Sequence, residues 1–260
     1  MKLLKRVFFV LLLSSTSSVL QANWVKKGDK LFIKVGGNGW AISKNDFKPY
    51  LWENGLWVHK YGNKQKDWMF GDISEGFAIG KSGSGLKNGM VYKWNSNSKK
   101  WEEHISKGQE SWQFKKIGND WAIRKSTGYD NNRAYQWKYF LGKWQWERLN
   151  GSQAFKSIGD GWAIGKTDNK PYSWEEGKWN HKYGEGQSGW EFSKISENWV
   201  IASGGGAKSG AVYYWYASPH KKWGIVLGDA QKKWTFKDVG NGWAIGGGGG
   251  AEPEKIYRWE

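Results

Sequence analysis

Short segments in which apolar and polar side chains alternate recur along the chain after residue 22, and no helical periodicity of any length occurs there. Alternation with a period of two is typical of β-strands that bury one face. The clearest segment reads GWAI or a close variant and occurs six times, with its aromatic residue at Trp40, Phe77, Trp121, Trp162, Trp199 and Trp243. The pattern predicts an all-β protein built from six copies of one unit.

Each copy carries further aromatic segments around GWAI. A WxF pair precedes it in four copies and is reduced to Phe32 and Phe155 in the other two. A YxW pair follows, and then a single tryptophan, assigned to Trp57, Trp101, Trp144, Trp179 and Trp223. Trp146 follows Trp144 by two residues, so both lie on one strand face and only one fits the repeat. Four strands in about 40 residues are typical of a propeller blade.

The chain ends predict how the ring closes. The last copy stops at Trp259–Glu260, after its third strand, whereas Trp24 precedes the first copy and has no sheet of its own. Pairing these two segments would remove two open sheet edges. The sequence therefore predicts a six-bladed β-propeller of four-stranded antiparallel blades, with the GWAI strand second from the axis.

A longer period of 122 residues relates the two halves of the chain, for example Trp40 to Trp162 and Trp57 to Trp179. The first and fourth copies are nearly identical over PYLWENGLWVHKYG and PYSWEEGKWNHKYG. The chain is therefore interpreted as a duplicated three-blade unit. A binding site in one half is expected to have an equivalent in the other.

Residues 1–22 have the pattern of a secretory signal peptide: Lys2, Lys5 and Arg6, then the apolar run 7–13, then small residues up to Ala22. The run is too short to span a bilayer. The alternative is a buried N-terminal helix. The prediction is a secreted or periplasmic protein whose residues 23–260 form one propeller domain.

Composition narrows the function further. The chain has no cysteine, which excludes disulfides, cysteine-ligated zinc and cysteine nucleophiles. Its net charge is +16, with three of the positive charges in residues 1–22. An exported basic protein meets anionic cell surfaces, and the export signal argues against a nucleic-acid partner. The alternative is that the charge only keeps an aromatic-rich protein soluble.

The loops between the GWAI and YxW strands are the predicted binding region, because polar loops on a rigid scaffold often carry function. Sugar binding suits them, since a pyranose stacks on aromatic rings and its hydroxyls pair with Asp, Asn and Lys. Ordinary solvated turns are the alternative. The candidate ligand-binding residues are Lys44, Asp46, Lys48, Lys166, Asp168, Lys170, Asp130, Asn131 and Arg133.

Repeats of the form WxFxxIGxGWAIGK…YxWxxGKW span residues 23–260 and resemble those of the tectonin/tachylectin-type propeller lectins. That family usually reads VWGVN where this chain reads GWAIGK. The resemblance implies a propeller fold and multivalent binding of glycans or lipopolysaccharide through repeated shallow sites on one face.

No catalytic or metal-binding motif is present: HExxH, GxSxG and Asp-x-Asp calcium loops are all missing. His59 and His181 occupy equivalent outer-strand positions and are interpreted as surface or blade-contact residues. The sequence thus predicts a binding protein without enzymatic activity, metal or cofactor. The alternative function is a secreted propeller scaffold that binds a protein partner and has no sugar specificity.

Overall fold

A computed structural model describes residues 22–260, so the predicted signal peptide lies outside the described residues except for its last position. The described chain forms six four-stranded antiparallel sheets arranged as a six-bladed β-propeller, which confirms the predicted fold class. Helical structure in residues 22–260 consists of two 3₁₀ turns, Gly37–Gly39 and Asp229–Gln231. No helix in this part of the chain is long and apolar enough to cross a membrane.

The strands are numbered in chain order, and each blade contributes one strand to each of four concentric positions. The innermost strands are β2 (Phe32–Val35), β6 (Met69–Ser74), β10 (Gln113–Gly118), β14 (Phe155–Gly159), β18 (Glu191–Ser196) and β22 (Thr235–Gly240). The GWAI strands are second, as predicted: β3 (Trp40–Ser43), β7 (Phe77–Ser82), β11 (Trp121–Lys125), β15 (Trp162–Gly165), β19 (Trp199–Gly204) and β23 (Trp243–Gly248).

The third position holds the YxW strands: β4 (Pro49–Glu53), β8 (Val91–Asn95), β12 (Ala134–Phe140), β16 (Pro171–Glu175), β20 (Val212–Tyr216) and β24 (Ile256–Trp259). The outermost strands are β5 (Leu56–His59), β9 (Lys100–Glu103), β13 (Lys143–Arg148), β17 (Lys178–His181), β21 (Lys222–Ile225) and β1 (Trp24–Lys26). Blades 1 to 6 begin at β2, β6, β10, β14, β18 and β22.

The N-terminal strand closes the ring, as the chain ends predict. β1 is the outermost strand of blade 6 and pairs with β24 in the register Trp24↔Trp259 and Val25↔Arg258. Trp24 is 2 % exposed, and its indole N–H donates to the carbonyl of Val226 at 2.8 Å. Both chain ends thus share one sheet, and blade 6 gains the fourth strand that its own repeat lacks.

The loops between second and third strands lie on the face where each blade connects to the next, because four antiparallel strands alternate in direction. This face is called the upper face. Here the first Phe of an innermost strand donates its backbone N–H to a carbonyl in the preceding blade's loop, as Phe70 does to Phe47 at 3.0 Å. The same bond recurs at Phe32, Phe114, Phe155, Phe192 and Phe236. The predicted binding loops therefore also hold neighbouring blades together.

The outer-strand tryptophans fill the space between blades, and the structure corrects one assignment. Trp146, not Trp144, pairs with Trp137 across the sheet, which is the position of Trp57 opposite Trp52. Trp146 is 1 % exposed, whereas Trp144 is 58 % exposed. The assignment of Trp144 to the repeat was wrong, because β12 and β13 are longer than their counterparts and place an extra tryptophan near the hairpin end.

Glutamine side chains fasten four of the outer strands. Gln109 lies in the connection before blade 3, and its amide donates to the carbonyl of Trp146 at 2.8 Å and accepts from its N–H at 3.0 Å. The same pair of hydrogen bonds joins Gln65 to Trp101, Gln187 to Trp223 and Gln231 to Trp24. The connections before blades 1 and 4 are shorter, residues 27–31 and 149–154, and make no such bond.

Candidate functional site

The upper face brings the predicted residues of each loop together, but most of their polar atoms already have partners within the protein. Asp46 accepts from the backbone N–H of Lys48 at 3.1 Å and from the hydroxyl of Tyr50 at 3.2 Å. In the other half, Asp168 accepts in the same way from Lys170 at 3.1 Å and Tyr172 at 2.5 Å. These carboxylates hold the shape of their own turns.

The ionisation of Asp46 reflects these bonds. Burial favours the neutral acid, but the N–H of Lys48 and the hydroxyls of Ser43 and Tyr50 outweigh burial and lower the pKa of Asp46. The carboxylate is therefore a fixed acceptor with its oxygens directed at the turn.

The remaining predicted residues are engaged in a similar way, with one exception. Lys44 pairs with Glu254 at 2.6 Å, Lys48 donates to the carbonyl of Lys66, and Lys170 donates to that of Trp190 at 3.1 Å. Asp130 pairs with Arg124 and Arg148, Asn131 accepts from Lys115 at 3.3 Å, and Arg133 donates to the carbonyl of Tyr129 at 3.1 Å. Lys166 is exposed and its ammonium has no such partner within residues 22–260. The binding role of all nine residues stays a prediction.

A pocket that the sequence analysis did not identify lies at the outer rim of blade 4. It has a volume of about 330 Å³ and is called the rim pocket. Its lining residues are Asn150, Gly151, Ser152, Gln153, Tyr172, Gly177, Lys178, Trp179 and His181. The connection 149–154 borders the pocket, and it lacks the glutamine that bonds to the outer strand in blades 2, 3, 5 and 6.

The aromatic wall of the rim pocket comes from β16 and β17. His181 is exposed and packs on Tyr172, with the ring centroids 4.2 Å apart. Trp179 is half-buried and packs against Phe155, with a centroid distance of 4.7 Å. Because Tyr172 is only 5 % exposed, His181 and Trp179 supply most of the aromatic surface of the pocket.

The polar wall comes from the connection and from the indole of Trp179. The side chains of Asn150, Ser152 and Gln153 make no hydrogen bond within the described part of the chain. The indole N–H of Trp179 likewise has no acceptor there. In the other blades this N–H donates to the connecting segment, as from Trp57 to Lys27 at 2.7 Å and from Trp223 to Lys182 at 2.9 Å.

The equivalent place in blade 1 is built differently, despite the 122-residue repeat. There Lys30 lies over the ring of Tyr50, with its Nζ 4.0 Å from the centroid, and the indole of Trp57 is already bonded. In blades 2, 3, 5 and 6 a tryptophan covers the corresponding tyrosine, as Trp68 covers Tyr92. Blade 4 has Gln153 at that position. The loss of tryptophan from WxF is the sequence signal that could have revealed this pocket.

A second cavity lies between blades 4 and 5 on the opposite, lower face and has a volume of about 590 Å³. Tyr214 and Tyr216 lie on one side of β20 with ring centroids 5.1 Å apart, and Tyr216 is 44 % exposed. Glu175 and Asn198 add polar groups to the lining. Glu175 forms an ion pair with Lys182 at 2.7 Å, so this cavity has fewer unpaired polar groups than the rim pocket.

Three carboxylates occupy turns between the innermost and second strands, on the lower face near the axis: Glu75, Asp160 and Glu197. Burial, together with the hydrogen bond and charge of Glu75 and the charge of Asp160, raises the pKa of Glu197 to about 7. No group of three or more His, Asp or Glu side chains within residues 22–260 is placed to hold a metal ion.

This cluster predicts a pH dependence of stability. Because the pKa of Glu197 is raised on folding, the native state binds more protons than the unfolded state between about pH 4.5 and 7, and stability falls as pH rises through that window. Glu197→Gln is expected to flatten this slope and to raise the free energy of unfolding at pH 8 by on the order of 1 kcal/mol. Urea unfolding at several pH values measures it. The exposed Glu185→Gln is the control, and an unchanged slope in Glu197→Gln would refute the prediction.

Comparison with known proteins finds solved structures that are similar to this chain, but it assigns the chain to no family. No protein-family model matches the chain, and no curated protein sequence matches it. A solved structure described as YCF48 bound to D1 peptide is 14 % identical, covers 92 % of this chain and 84 % of its own, and has a TM-score of 0.45. YCF48 from Cyanidioschyzon merolae is 13 % identical, with coverages of 92 % and 88 % and a TM-score of 0.42. The resemblance to tectonin-type lectins gains no support from these comparisons.

Proposed function

We propose that this protein binds carbohydrate without catalysing a reaction, and that the rim pocket takes one pyranose unit of a glycan or lipopolysaccharide. One observation carries the proposal. Three polar side chains without a hydrogen bond in the described part of the chain, those of Asn150, Ser152 and Gln153, line the same pocket as Trp179, whose indole N–H has no acceptor there. The pattern of residues 1–22 supports export, which would place the protein where such ligands occur.

The pocket matches the two kinds of surface that a pyranose presents. The apolar C–H face packs on the rings of Trp179 and His181, and the hydroxyls pair with amide, hydroxyl and indole groups. A volume of about 330 Å³ is at the lower end of the range for small-molecule sites. Lys178 and the positive net charge, most of which lies outside residues 1–22, favour acidic or phosphate-bearing sugars. The lower cavity offers a second site on the same rigid scaffold, which would give multivalent binding.

The test uses a glycan array that includes lipopolysaccharide, followed by titration of the best ligand. Gln153→Trp restores the repeat residue and fills the pocket, so binding at the rim pocket is expected to disappear, and the number of sugars bound per protein to fall, while the fold persists. Trp179→Phe removes one donor and is expected to weaken binding about tenfold, since a hydrogen bond of this kind contributes about 1 kcal/mol or slightly more. Trp57→Phe, the equivalent change in blade 1, is the matched control and should bind like the parent.

Two outcomes contradict the rim-pocket assignment. If Gln153→Trp and Trp179→Phe bind glycans like the parent, the ligand lies elsewhere on the propeller. Asp46→Asn then tests the upper-face loops, where the sequence analysis placed the site. If no glycan or lipopolysaccharide binds the parent protein at all, carbohydrate binding is rejected.

A protein partner is the second candidate, and the hairpin of blade 3 favours it. This hairpin ends in Phe140, Leu141 and Gly142, and it exposes Leu141 to 82 % and Trp144 to 58 %. Leu141 has a φ of +50°, a left-handed conformation that suits asparagine far better than a bulky residue. Blade 1 has Asn54 in its equivalent turn with the same φ. Exposed apolar groups in a strained turn are typical of an interaction site.

Leu141→Asn separates the two candidates. The change relieves the turn and removes apolar surface, so folding is expected to be unharmed. If the protein binds a protein partner on a cell surface, Leu141→Asn is expected to weaken the attachment of this protein to intact cells. Free saccharides are then not expected to compete for that attachment. Under the carbohydrate function, Leu141→Asn attaches normally and the array ligand competes.

A further inference from the structure

Six side chains form a ring around the propeller axis, one from the same position of each innermost strand. The equivalence follows from the register, because each of them lies opposite the isoleucine of a GWAI-type segment, as Lys34 lies opposite Ile42. The ring residues are Lys34, Asp72, Lys116, Ser157, Lys194 and Asp238. All six line one cavity of about 30 Å³.

Hydrogen bonds fix the acceptor side chains of this ring. Asp72 accepts from the backbone N–H of Ile117 at 3.0 Å, and Asp238 accepts from that of Val35 at 3.0 Å. Ser157 takes the same role in blade 4, where its Oγ accepts from the N–H of Ile195 at 3.1 Å. Blades 2, 4 and 6 thus supply acceptors, and blades 1, 3 and 5 supply lysines.

The ring has an excess of positive charge because Ser157 stands where the alternation would place a third carboxylate. Lys34 lies 3.6 Å from Asp72 and 3.9 Å from Asp238, and Lys116 lies 3.6 Å from Asp72. Among the described residues, no carboxylate lies within 4.0 Å of the ammonium of Lys194. Three ammonium groups therefore share two carboxylates, and Lys194 is the one without a partner.

The excess of positive charge affects the ionisation of Lys194. Burial and the charges of Lys34 and Lys116 lower its pKa to about 8, although Asp238 and Asp72 act in the opposite direction. The hydroxyl proton of Ser157 is also unengaged within residues 22–260, since its oxygen acts only as an acceptor there. An ammonium and a hydroxyl donor thus line the same small cavity.

We propose that the axial cavity binds one small monovalent inorganic anion, of the size of chloride or bromide, held by the ammonium of Lys194 and the hydroxyl of Ser157. A cavity of about 30 Å³ has room for a halide with about one water, but not for a sugar or a phosphate ester. The anion completes the charge balance of the ring. This site is independent of the rim pocket.

The direct test is a crystal grown in sodium bromide, with anomalous scattering used to locate bromide. A peak on the axis beside Lys194 and Ser157 is the expected result. If bromide fully occupies sites on the protein surface but gives no peak on the axis, the proposal is overturned.

A solution test measures the melting temperature at constant ionic strength while gluconate, which is too large for the cavity, is exchanged for bromide. The melting temperature is expected to rise with the logarithm of the bromide concentration once that concentration exceeds Kd, since the anion binds only the native state. Ser157→Asp supplies the third carboxylate and should abolish the bromide dependence. Lys194→Met should abolish it too, and provides the test if Ser157→Asp does not fold.

The exposed Lys107→Gln is the control, since it also removes one positive charge but lies away from the axis. It should keep the full bromide dependence of the parent. A bromide effect that is equal in the parent, Ser157→Asp and Lys194→Met would show that the ion acts on the surface, and it would overturn the proposal.

The pH dependence gives a second readout. The groups facing Lys194 are Lys34, Lys116, Asp72, Asp238 and Ser157. Because the pKa of Lys194 is lowered on folding, the unfolded chain binds more protons above about pH 8, and stability in gluconate should rise with pH from about 8 to 10.5. Bromide should flatten that rise, because the bound anion favours the charged ammonium. The same slope in both salts would contradict the proposal.

Discussion

Trp146→Ala is expected to lower the free energy of unfolding by about 3–5 kcal/mol, the usual cost of truncating a large buried aromatic side chain. Trp146 is 1 % exposed and its ring centroid lies 5.0 Å from that of Phe114. Its indole N–H donates to the carbonyl of His104 at 3.0 Å, so the substitution also leaves a carbonyl between blades 2 and 3 without its donor. Denaturant unfolding followed by tryptophan fluorescence measures the loss.

Trp144→Ala is the matched control on the same strand. Trp144 is 58 % exposed and packs mainly on Tyr139, with ring centroids 6.0 Å apart. Its removal is expected to change stability by no more than about 0.5 kcal/mol, as for most surface positions. Equal losses in the two variants would show that the register of blade 3 is wrong.

A disulfide between the two chain ends is expected to stabilise the protein by about 2–5 kcal/mol, because it would close a loop that spans most of the chain. Val25 and Arg258 are directly paired across β1 and β24 and both side chains are exposed, so we expect both positions to tolerate cysteine. The chain has no other cysteine, which excludes mispairing within a molecule. Unfolding of Val25→Cys/Arg258→Cys with and without dithiothreitol measures the gain.

Reduction serves as the internal control, since the two states differ only in the bond. Asn45→Cys/Arg258→Cys provides a second control, because Asn45 lies in a loop of blade 1 and has no pairing with β24. Failure of the Val25 pair to oxidise in the folded protein would contradict closure by the N-terminal strand.

The fold was predictable because its main determinants are local and repeated. The turn Asn38–Gly39 has φ values of +55° and +75°, which asparagine and glycine tolerate, and the sequence shows both residues. The closing strand was predictable from counting, because Trp24 was left over at one end and a strand was missing at the other. Each inference needed only periodicity and strand number, not the position of any distant side chain.

The site was less predictable because hydrogen-bond partners are not visible in a sequence. In the sequence, Asp46 and Asp168 resemble free loop carboxylates, but they accept hydrogen bonds from the hydroxyls of Tyr50 and Tyr172. The exposure of Trp144 depended on the lengths of β12 and β13, which the aromatic pattern alone did not set. Gln153 was a usable signal for the rim pocket, since replacing the tryptophan of the repeat with a smaller residue leaves space beside the outer strand.

The most direct test of carbohydrate binding at the rim pocket is a crystal structure of the protein soaked with the saccharide that binds best on the array. We expect electron density for one sugar ring in the rim pocket, packed on His181 and Trp179 and bonded to the indole N–H of Trp179. Density beside Asp46 and Asp168 on the upper face, with an empty rim pocket, would contradict it.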